Sequence, residues 1–377
     1  MWVTAGCAVV WVYLTFGHGM FWSTSLRLPA AAPPAVWPSV AVVVPARDEE
    51  AVLGETLPTL LEQDYPGAAG VVVVDDNSTD RTAEIARRAG ERPGLPLLVT
   101  TPGEPPPGWA GKMWALRHGV EAAGDVDYYL FTDADIAHQP GSLHALVASA
   151  ADRDMVSQMA RLRTTTRWEK LIIPAFVYFF AQLYPFGRVA HDGARTAAAA
   201  GGCTLIRADA VERIGGIEAI HDATIDDVAL AREVKRTGGR IWLGLADHVR
   251  SVRPYPVLAD LWAMIARSAY TQLRHSPALL AATVLGMAFV YLLPVAALVA
   301  GPAAGDWNTA GEGAVAWALM TLTYLPMIRY YRMRAGWALT LPFAALLYLL
   351  MTVDSARRHH RGAGATWKGR SYASDPS

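Results

Sequence analysis

The sequence contains few cysteines, almost no net charge and no long basic segment, and each absence argues against a class of protein. Its two cysteines, Cys7 and Cys203, lie far apart in a chain of 377 residues, which disfavours a structural disulfide and a cysteine zinc site. With 33 basic and 34 acidic residues the formal net charge is -1, and no basic stripe of the kind that binds nucleic acids is present. We therefore expect no nucleic-acid partner.

Apolar residues are abundant instead, and they indicate an integral membrane protein. They make up 53% of the chain, which also contains 13 tryptophans. Residues 2–22 form an uncharged run of about the ~20 residues that cross a bilayer, and no clear signal-peptide cleavage pattern follows it. We therefore expect an uncleaved N-terminal membrane anchor over residues 1–26 and a Pro-rich linker over residues 27–38. Arg27 and the basic residues beyond it predict that the following domain faces the cytoplasm.

The C-terminal part is also apolar and predicts a group of transmembrane helices over residues 276–355. The stretch 329–334 is basic and should face the cytoplasm, whereas 301–313 has no Lys or Arg and should face outward. Three crossings would place the basic tail, residues 356–377, outside, so we expect one apolar run to turn back within the membrane. The three runs long enough to cross are about 279–300, 313–329 and 336–353.

Between the anchor and these runs, the sequence alternates between apolar strands and helices. The segments SVAVVVPA and GVVVVDD are short and almost wholly apolar, as in parallel strands that are buried on both faces. EEAVLGETLPTLLEQ has helical spacing, and STDRTAEIARRAG begins with a Ser/Thr cap and ends at Gly. This β-α-β-α order predicts an α/β fold with a Rossmann-like, nucleotide-binding half-sheet.

A pair of carboxylates follows a predicted strand in the segment LFTDADIAHQP. Asp133 and Asp135 lie two residues apart, directly after the apolar and β-prone DYYLF. One interpretation is a solvated turn, since Asp is common in turns. The other is a metal site, because alternate carboxylates at a strand end can bind one hard cation through oxygen.

Two further acidic pairs occur at element ends. Asp75 and Asp76 end the second strand, where they can accept hydrogen bonds from a nucleobase or ribose; a helix N-cap is the alternative. Asp226 and Asp227 open the helix DDVALAREVKR, where favourable charge at a helix N-terminus is the alternative. All three acidic pairs in this order are less likely to occur by chance than any single pair, and the combination therefore favours a shared site.

At these residues the chain resembles the family 2 glycosyltransferases, which have the GT-A fold. VVVPARDEE followed by VVVVDDNSTD resembles the first segment of that family, TDAD its metal motif, and TIDD its catalytic-base segment, which is usually Thr-Glu-Asp. The resemblance covers about residues 40–275, so we assign residues 39–275 to a cytoplasmic GT-A domain. GWAGKMWALRHG and the terminal WKGRSY further resemble the hopene-associated glycosyltransferase branch, relatives of the carotenoid-glycosylating enzymes.

The resemblance implies a metal-dependent, inverting hexosyl transfer from a nucleotide-sugar donor to a hydroxyl group of a lipid acceptor. The implied acceptor is a hopanoid or another isoprenoid lipid, with a polyprenyl phosphate or a glycerolipid as alternatives. Asp133 and Asp135 would hold Mg²⁺ or Mn²⁺ against the diphosphate. Asp227 would be the base that takes the acceptor proton, and Asp226 stands where the family has Glu.

The same resemblance assigns the remaining binding residues. Asp76 would contact the nucleotide base, with Asp75 beside it. Lys112 would neutralise a phosphate, although an exposed helix lysine is the alternative. Gly201 and Gly202 would let the backbone approach the sugar, and a plain turn is the alternative.

The Gln-x-x-Arg-Trp signature of the family is degraded in this chain. Thr271, Arg274 and His275 stand where Gln, Arg and Trp would be. Arg274 would still meet the diphosphate, but the missing Trp favours a single transfer over a polymer-extruding synthase. Two other classes remain as alternatives: a nucleotidyltransferase, which needs neither the base carboxylate nor the membrane spans, and a non-catalytic membrane scaffold.

One more apolar run lies inside the predicted catalytic domain, at residues 171–187. A crossing there would separate Asp135 from Asp227 by the membrane, yet one reaction needs both carboxylates near the sugar. We therefore expect an interfacial or re-entrant helical segment, broken near Pro174 or Pro185, that guides the lipid hydroxyl. A buried helix of the soluble domain is the alternative.

Overall fold

The computed structural model of the protein describes residues 2–361, 366–367 and 370–371. These residues form two compact units. The sheet unit comprises Leu26–Arg163, Arg188–Pro254 and the described residues beyond 365, and the helical unit comprises the residues up to Ser25, Thr164–Gly187 and the residues from Tyr255 to 361. Residues 255–275, which we assigned to the GT-A domain, cluster with the apolar helices in this division.

The sheet unit is built on an eight-stranded mixed sheet with the order β3-β2-β1-β4-β7-β6-β8-β5. Strand β1 pairs in parallel with β2 and β4, and β2 with β3, as the β-α-β-α sequence pattern predicts. The pairs β4–β7, β7–β6 and β8–β5 are antiparallel, and β6–β8 is parallel. The strands are β1 Val40–Ala46, β2 Ala69–Asp75, β3 Leu97–Thr100, β4 Tyr128–Phe131, β5 Ile136–His138, β6 Met155–Arg161, β7 Thr204–Arg207 and β8 Ile241–Ser251, and a separate antiparallel pair is β9 Thr366–Trp367 with β10 Arg370–Ser371.

Helices connect these strands and form the second unit. In chain order they are α1 Trp2–Phe16, α2 Glu50–Leu61, α3 Thr82–Ala89, α4 Gly111–Ala123, α5 Ser142–Ser149, α6 Arg167–Leu183, α7 Phe186–Val189, α8 Ala208–Ile214, α9 Asp226–Arg236, α10 Leu258–Ala266, α11 Ala269–Gln272, α12 Pro277–Met287, α13 Leu293–Ala303, α14 Trp307–Tyr330 and α15 Leu341–His360. A π-helical turn, Ala288–Leu292, joins α12 to α13, and 3₁₀ turns occupy Ile217–Ile220 and Ala335–Thr340.

The core of the sheet unit explains why the strands are so apolar. All seven residues of β1 are buried, because helices cover both faces of a parallel sheet. Val42 and Val73 of adjacent strands share one core cluster with Leu53 and Leu57 of α2. The predicted α/β class is confirmed.

The helical unit contains two helical segments that are long and apolar enough to cross a membrane, judged by length and composition: Pro277–Ala303 and Ala335–His360. The predicted run 313–329 lies in α14, which is long enough but less apolar. Helix α1 ends at Phe16 and is followed by turns that include Gly19 at a φ of 65°. Its 15 residues are fewer than the ~20 that a full crossing needs, so the observed helix is shorter than the span predicted over residues 2–22.

The apolar run 171–187 forms most of α6, which starts at a capping box between Thr166 and Glu169. The helix is continuous through Pro174 and ends at Leu183, before Pro185, so the break occurs at the second of the two predicted positions. Helix α6 belongs to the helical unit, where the Tyr178 hydroxyl lies 2.8 Å from the Thr323 hydroxyl of α14. The interfacial or re-entrant placement of α6 remains a prediction. Most of the predicted basic tail beyond residue 361 lies outside the described residues.

Candidate active site

The carboxyl ends of neighbouring parallel strands bring the acidic residues to one edge of the sheet. Asp75 is the last residue of β2 and pairs in register with Ala46, the last residue of β1. On the other side of β1, β4 ends at Phe131 and leads directly to Asp133. This edge is where α/β sheets place their ligands.

Lys112, the second residue of α4, joins two of the predicted acidic residues. Its Nζ atom lies 2.8 Å from Asp133 Oδ1 and 3.0 Å from Asp226 Oδ2. Only 16% of the lysine side chain is exposed, which excludes the alternative of an exposed helix lysine. Burial lowers its pKa, but the charges of Asp133 and Asp226 outweigh burial, so the pKa of Lys112 is above its usual range. The site therefore contains a fixed positive charge.

Asp227, the second residue of α9, is held differently from its neighbour. Its Oδ2 atom accepts the Gly201 backbone N–H at 2.9 Å, and its Oδ1 atom accepts the Val228 N–H at 2.7 Å. Burial and the adjacent Asp226 charge raise the pKa of Asp227 to about 7, against the smaller effects of Lys112 and the two N–H groups. A carboxylate with a pKa near neutrality is suited to accept a proton at neutral pH.

Asp133 is also in a strongly charged environment. Burial and the neighbouring carboxylates Asp135 and Asp226 raise its pKa, and Lys112 opposes them. Carboxylates gathered in this way repel one another unless cations neutralise them. Lys112 supplies one positive charge for this group.

Gly201 lies at the centre of this group, and Gly202 does not. A Cβ atom at Gly201 would be 3.5 Å from Lys112 Nζ, 3.6 Å from Asp227 Oδ2 and 3.8 Å from Asp133 Oδ2. A Cβ atom at Gly202 would instead be 3.1 Å from a side-chain carbon of Ile136. Gly201 therefore borders the space that the charged groups share, whereas Gly202 allows close packing beneath it.

Asp135 contacts residues that sequence reasoning missed. Its Oδ2 atom accepts the Ser251 hydroxyl at 2.7 Å and the Arg253 Nε–H at 3.2 Å. Arg253 also donates from Nη2 to Glu49 Oε2 at 2.6 Å. Both missed residues lie at or just beyond the end of β8, which pairs with β5, the strand that directly follows Asp135. In the sequence, these two residues could have been found only from the polar segment SVR, residues 251–253, at the end of an apolar strand.

Asp75 contacts the turn that follows β2, and Asp76 contacts Arg47, which directly follows β1. Asp75 Oδ1 accepts the Ser78 N–H at 3.3 Å. Asp76 is fully buried, and Arg47 donates to its backbone oxygen at 2.5 Å and lies 3.4 Å from its Oδ2 atom. Neither aspartate is an N-cap, because α3 starts after Arg81. Their contacts with a nucleotide base remain a prediction.

Arg274 lies in the helical unit, in the turn between α11 and α12, with a φ of 51°. The Thr271 hydroxyl lies 3.2 Å from Nε2 of His275 in the same turn. These contacts stabilise the turn locally. The predicted contact of Arg274 with a diphosphate remains a prediction.

The described residues contain no cluster of three or more His, Cys, Asp or Glu side chains arranged to hold a metal ion. Asp133 and Asp135 nevertheless supply two carboxylates at the end of β4. Mg²⁺ typically takes one or two protein carboxylates and completes its coordination with water and substrate phosphates. The donor set therefore fits a hard divalent cation that arrives with a diphosphate.

The position of Gly201 yields a prediction. Gly201→Ala should leave the fold intact, because no Cβ contact would be shorter than 3.5 Å, but it should raise the KM for the donor sugar. The added methyl group would occupy space between Lys112 and Asp227. Gly187→Ala is the control, since a Cβ there meets no heavy atom of the described residues within 4 Å. Equal donor KM values for the two variants would contradict the prediction that the sugar binds beside Gly201.

Comparisons with known proteins identify related sequences. The chain is 28% identical over 206 residues to a probable glycosyltransferase, YdaM, of Bacillus subtilis (strain 168), covering 53% of this chain and 46% of that protein. It is 34% identical over 114 residues to 4,4'-diaponeurosporenoate glycosyltransferase of Staphylococcus haemolyticus (strain JCSC1435), covering 30% of this chain and 28% of that protein. The chain thus matches less than half of the length of these curated relatives.

A solved structure has the same fold over nearly the whole chain. The mannosyltransferase PcManGT from Pyrobaculum calidifontis, in complex with GDP-Man and Mn²⁺, superposes with a TM-score of 0.55 and 23% identity, covering 92% of this chain and 99% of that one. This likeness establishes the GT-A fold. The model of the family described as "Glycosyltransferase like family 2" matches residues 38–271. Because that match covers more than half of the chain, the protein belongs to the family 2 glycosyltransferases.

Proposed function

We propose that this glycosyltransferase is membrane-bound and moves a sugar, with inversion, from a nucleotide-sugar donor to a lipid hydroxyl. The observation that carries the proposal is the group formed by Lys112, Asp133, Asp226 and Asp227 around Gly201, at the carboxyl edge of the sheet. This group combines a fixed cation, one of the two proposed metal carboxylates and a carboxylate with a raised pKa. An inverting transfer uses positive charge to stabilise the departing diphosphate and a base to take the acceptor proton.

Each side chain has a distinct role in the proposed reaction. Asp227 takes the proton from the acceptor hydroxyl as its oxygen attacks the anomeric carbon, and the Gly201 N–H fixes the orientation of its carboxylate. Lys112 places positive charge beside the phosphates, and Asp226 holds Lys112 in position. Asp133 and Asp135 would hold Mg²⁺ or Mn²⁺, which when bound neutralises charge on the departing nucleoside diphosphate.

A lipid acceptor and a membrane location are supported by the two apolar helices and by one curated relative. Pro277–Ala303 and Ala335–His360 have the length and composition of spans. The diaponeurosporenoate glycosyltransferase is named for an isoprenoid acceptor. We therefore propose an integral protein of the inner or plasma membrane with a cytoplasmic sheet unit. Its acceptor is a hopanoid or another isoprenoid lipid, with a polyprenyl phosphate or a glycerolipid as alternatives.

The acceptor class can be tested by following the sugar. Protein in nanodiscs is incubated with Mn²⁺, radiolabelled UDP-, GDP- or dTDP-sugars, and a hopanoid, a polyprenyl phosphate or a diacylglycerol. The proposal predicts label in the organic phase with one donor and an isoprenoid lipid. Label that stays in the water-soluble fraction with every lipid would contradict it. Donor binding without nucleotide release would indicate a non-catalytic scaffold.

The membrane arrangement of α6 is tested by labelling from each side. We expect that Arg167→Cys and Arg188→Cys, placed on either side of the apolar run, both react with an impermeant maleimide from the cytoplasmic face. Both native cysteines are buried, and they are replaced by Ser in the background protein. Labelling of the two positions from opposite sides would show that α6 crosses the bilayer.

A further inference from the structure

The two carboxylate oxygens of Asp135 have different environments. Oδ2 accepts two hydrogen bonds, from the Ser251 hydroxyl at 2.7 Å and from Arg253 Nε at 3.2 Å. Oδ1 has no hydrogen-bond or ion-pair partner among the residues that the structure describes. The side chain is only 13% exposed, so its orientation is fixed by these contacts. One oxygen is thus held by the protein, and the other is available to a ligand.

Arg253 is itself held from a second direction. Its Nη2 atom lies 2.6 Å from Glu49 Oε2, and the Glu49 side chain is 9% exposed. The guanidinium group therefore bridges two carboxylates that come from distant parts of the chain: Glu49 precedes α2, and Asp135 precedes β5. The planar guanidinium has donors at fixed angles, which a lysine ammonium group cannot reproduce. The bridge fixes the direction in which Asp135 points.

We propose that Arg253 is a positioning residue for the cation site, acting through Asp135. Held by Glu49, Arg253 would act with Ser251 to fix Oδ2 of Asp135 and leave Oδ1 for a divalent cation. Groups that hydrogen-bond a ligating carboxylate orient it, and their loss typically costs about 10- to 100-fold in metal affinity or activity. This inference rests on the proposed function, because it takes Asp135 as a metal ligand.

A purely electrostatic role for Arg253 predicts the opposite result. A guanidinium group beside Asp135 repels a divalent cation, so its removal would strengthen metal binding if charge were the dominant effect. If orientation dominates, removal weakens binding, and Arg253→Lys weakens it too although the charge is kept. The sign of the change in metal affinity therefore distinguishes the two roles.

The experiment is a titration of the full-length protein in detergent with Mn²⁺, followed by electron paramagnetic resonance, alone and with UDP or GDP present. We expect Arg253→Met and Arg253→Lys each to weaken Mn²⁺ binding about 10- to 100-fold. In turnover assays the KM for Mn²⁺ should rise, with kcat largely recovered at saturating Mn²⁺. Arg250→Met is the matched control, because Arg250 pairs with Glu55 on the surface, with 57% of its side chain exposed. Its Mn²⁺ affinity should stay within about twofold of the wild type.

A milder variant provides a second test in case Arg253→Met does not fold. Ser251→Ala removes the other donor to Oδ2 and should weaken Mn²⁺ binding in the same direction by a smaller factor. Unchanged or tighter Mn²⁺ binding in folded Arg253→Met would overturn the positioning role and leave the proposed function intact. Wild-type protein that binds no Mn²⁺ under any of these conditions would overturn both this inference and the metal assignment, whereas nucleotide release tests the transferase activity separately.

Discussion

Asp135→Ala is expected to abolish sugar transfer and metal-dependent nucleotide binding while the protein stays folded. The substitution removes one of the two carboxylates at the end of β4, which is also one of the two carboxylates that Arg253 contacts. Loss of a charged metal ligand should cost several kcal/mol of leaving-group stabilisation. The measurement is turnover at saturating donor together with nucleotide binding, with and without Mn²⁺.

The matched control for this variant is Asp125→Ala. Asp125 lies in the exposed loop before β4, so its removal changes the net charge equally without touching the site. Thermal melting of both variants monitors the fold. Full transfer activity in Asp135→Ala would refute the metal assignment at this position.

Asp227→Asn is expected to bind the donor normally but to lower turnover by at least ~10²-fold, the usual contribution of a general base. The amide is nearly isosteric and can still accept the Gly201 N–H, but it cannot take the acceptor proton. Asp226→Asn should have a smaller effect on turnover, because Asp226 is already paired with Lys112 at 3.0 Å. Donor binding and kcat are measured separately for each variant.

The relative size of these two effects checks the residue assignment. A larger loss of turnover in Asp226→Asn than in Asp227→Asn would place the base one residue earlier in the chain. Equal donor affinity in both variants with wild-type turnover would argue against a carboxylate base at the start of α9. Either result would leave the fold assignment unchanged.

The parts of the fold that local sequence determines were predictable. Strands β1 and β2 are continuous apolar runs because helices cover both of their faces, and such runs are readable without a structure. The first two acidic pairs could be placed at one sheet edge because the carboxyl ends of parallel strands meet there. Lys112 could be named as a candidate from the sequence. Its ion pairs with Asp133 and Asp226 could not be predicted, because Asp226 lies more than a hundred residues further along the chain.

Features that depend on tertiary packing were not predictable. The hydrogen bond from Arg253 to Asp135 requires the pairing of β8 with β5, which no local pattern specifies. Hydropathy located the run 171–187 but did not reveal that α6 continues through Pro174, because neighbouring helices can stabilise a helix that contains proline. Helix α1 ends at Phe16 because turns follow it, and the uncharged, apolar composition of this segment does not indicate those turns.

The most direct test of the account is the release of nucleoside diphosphate by the purified protein. Wild-type protein and Asp135→Ala are incubated in detergent with a lipid extract and with UDP-, GDP- and dTDP-sugars, in the presence of Mn²⁺ or EDTA. We predict release from one class of nucleotide sugar by the wild type with Mn²⁺, and none with EDTA or from the variant. Release that is unaffected by EDTA and by Asp135→Ala would contradict a metal-assisted transfer at this site.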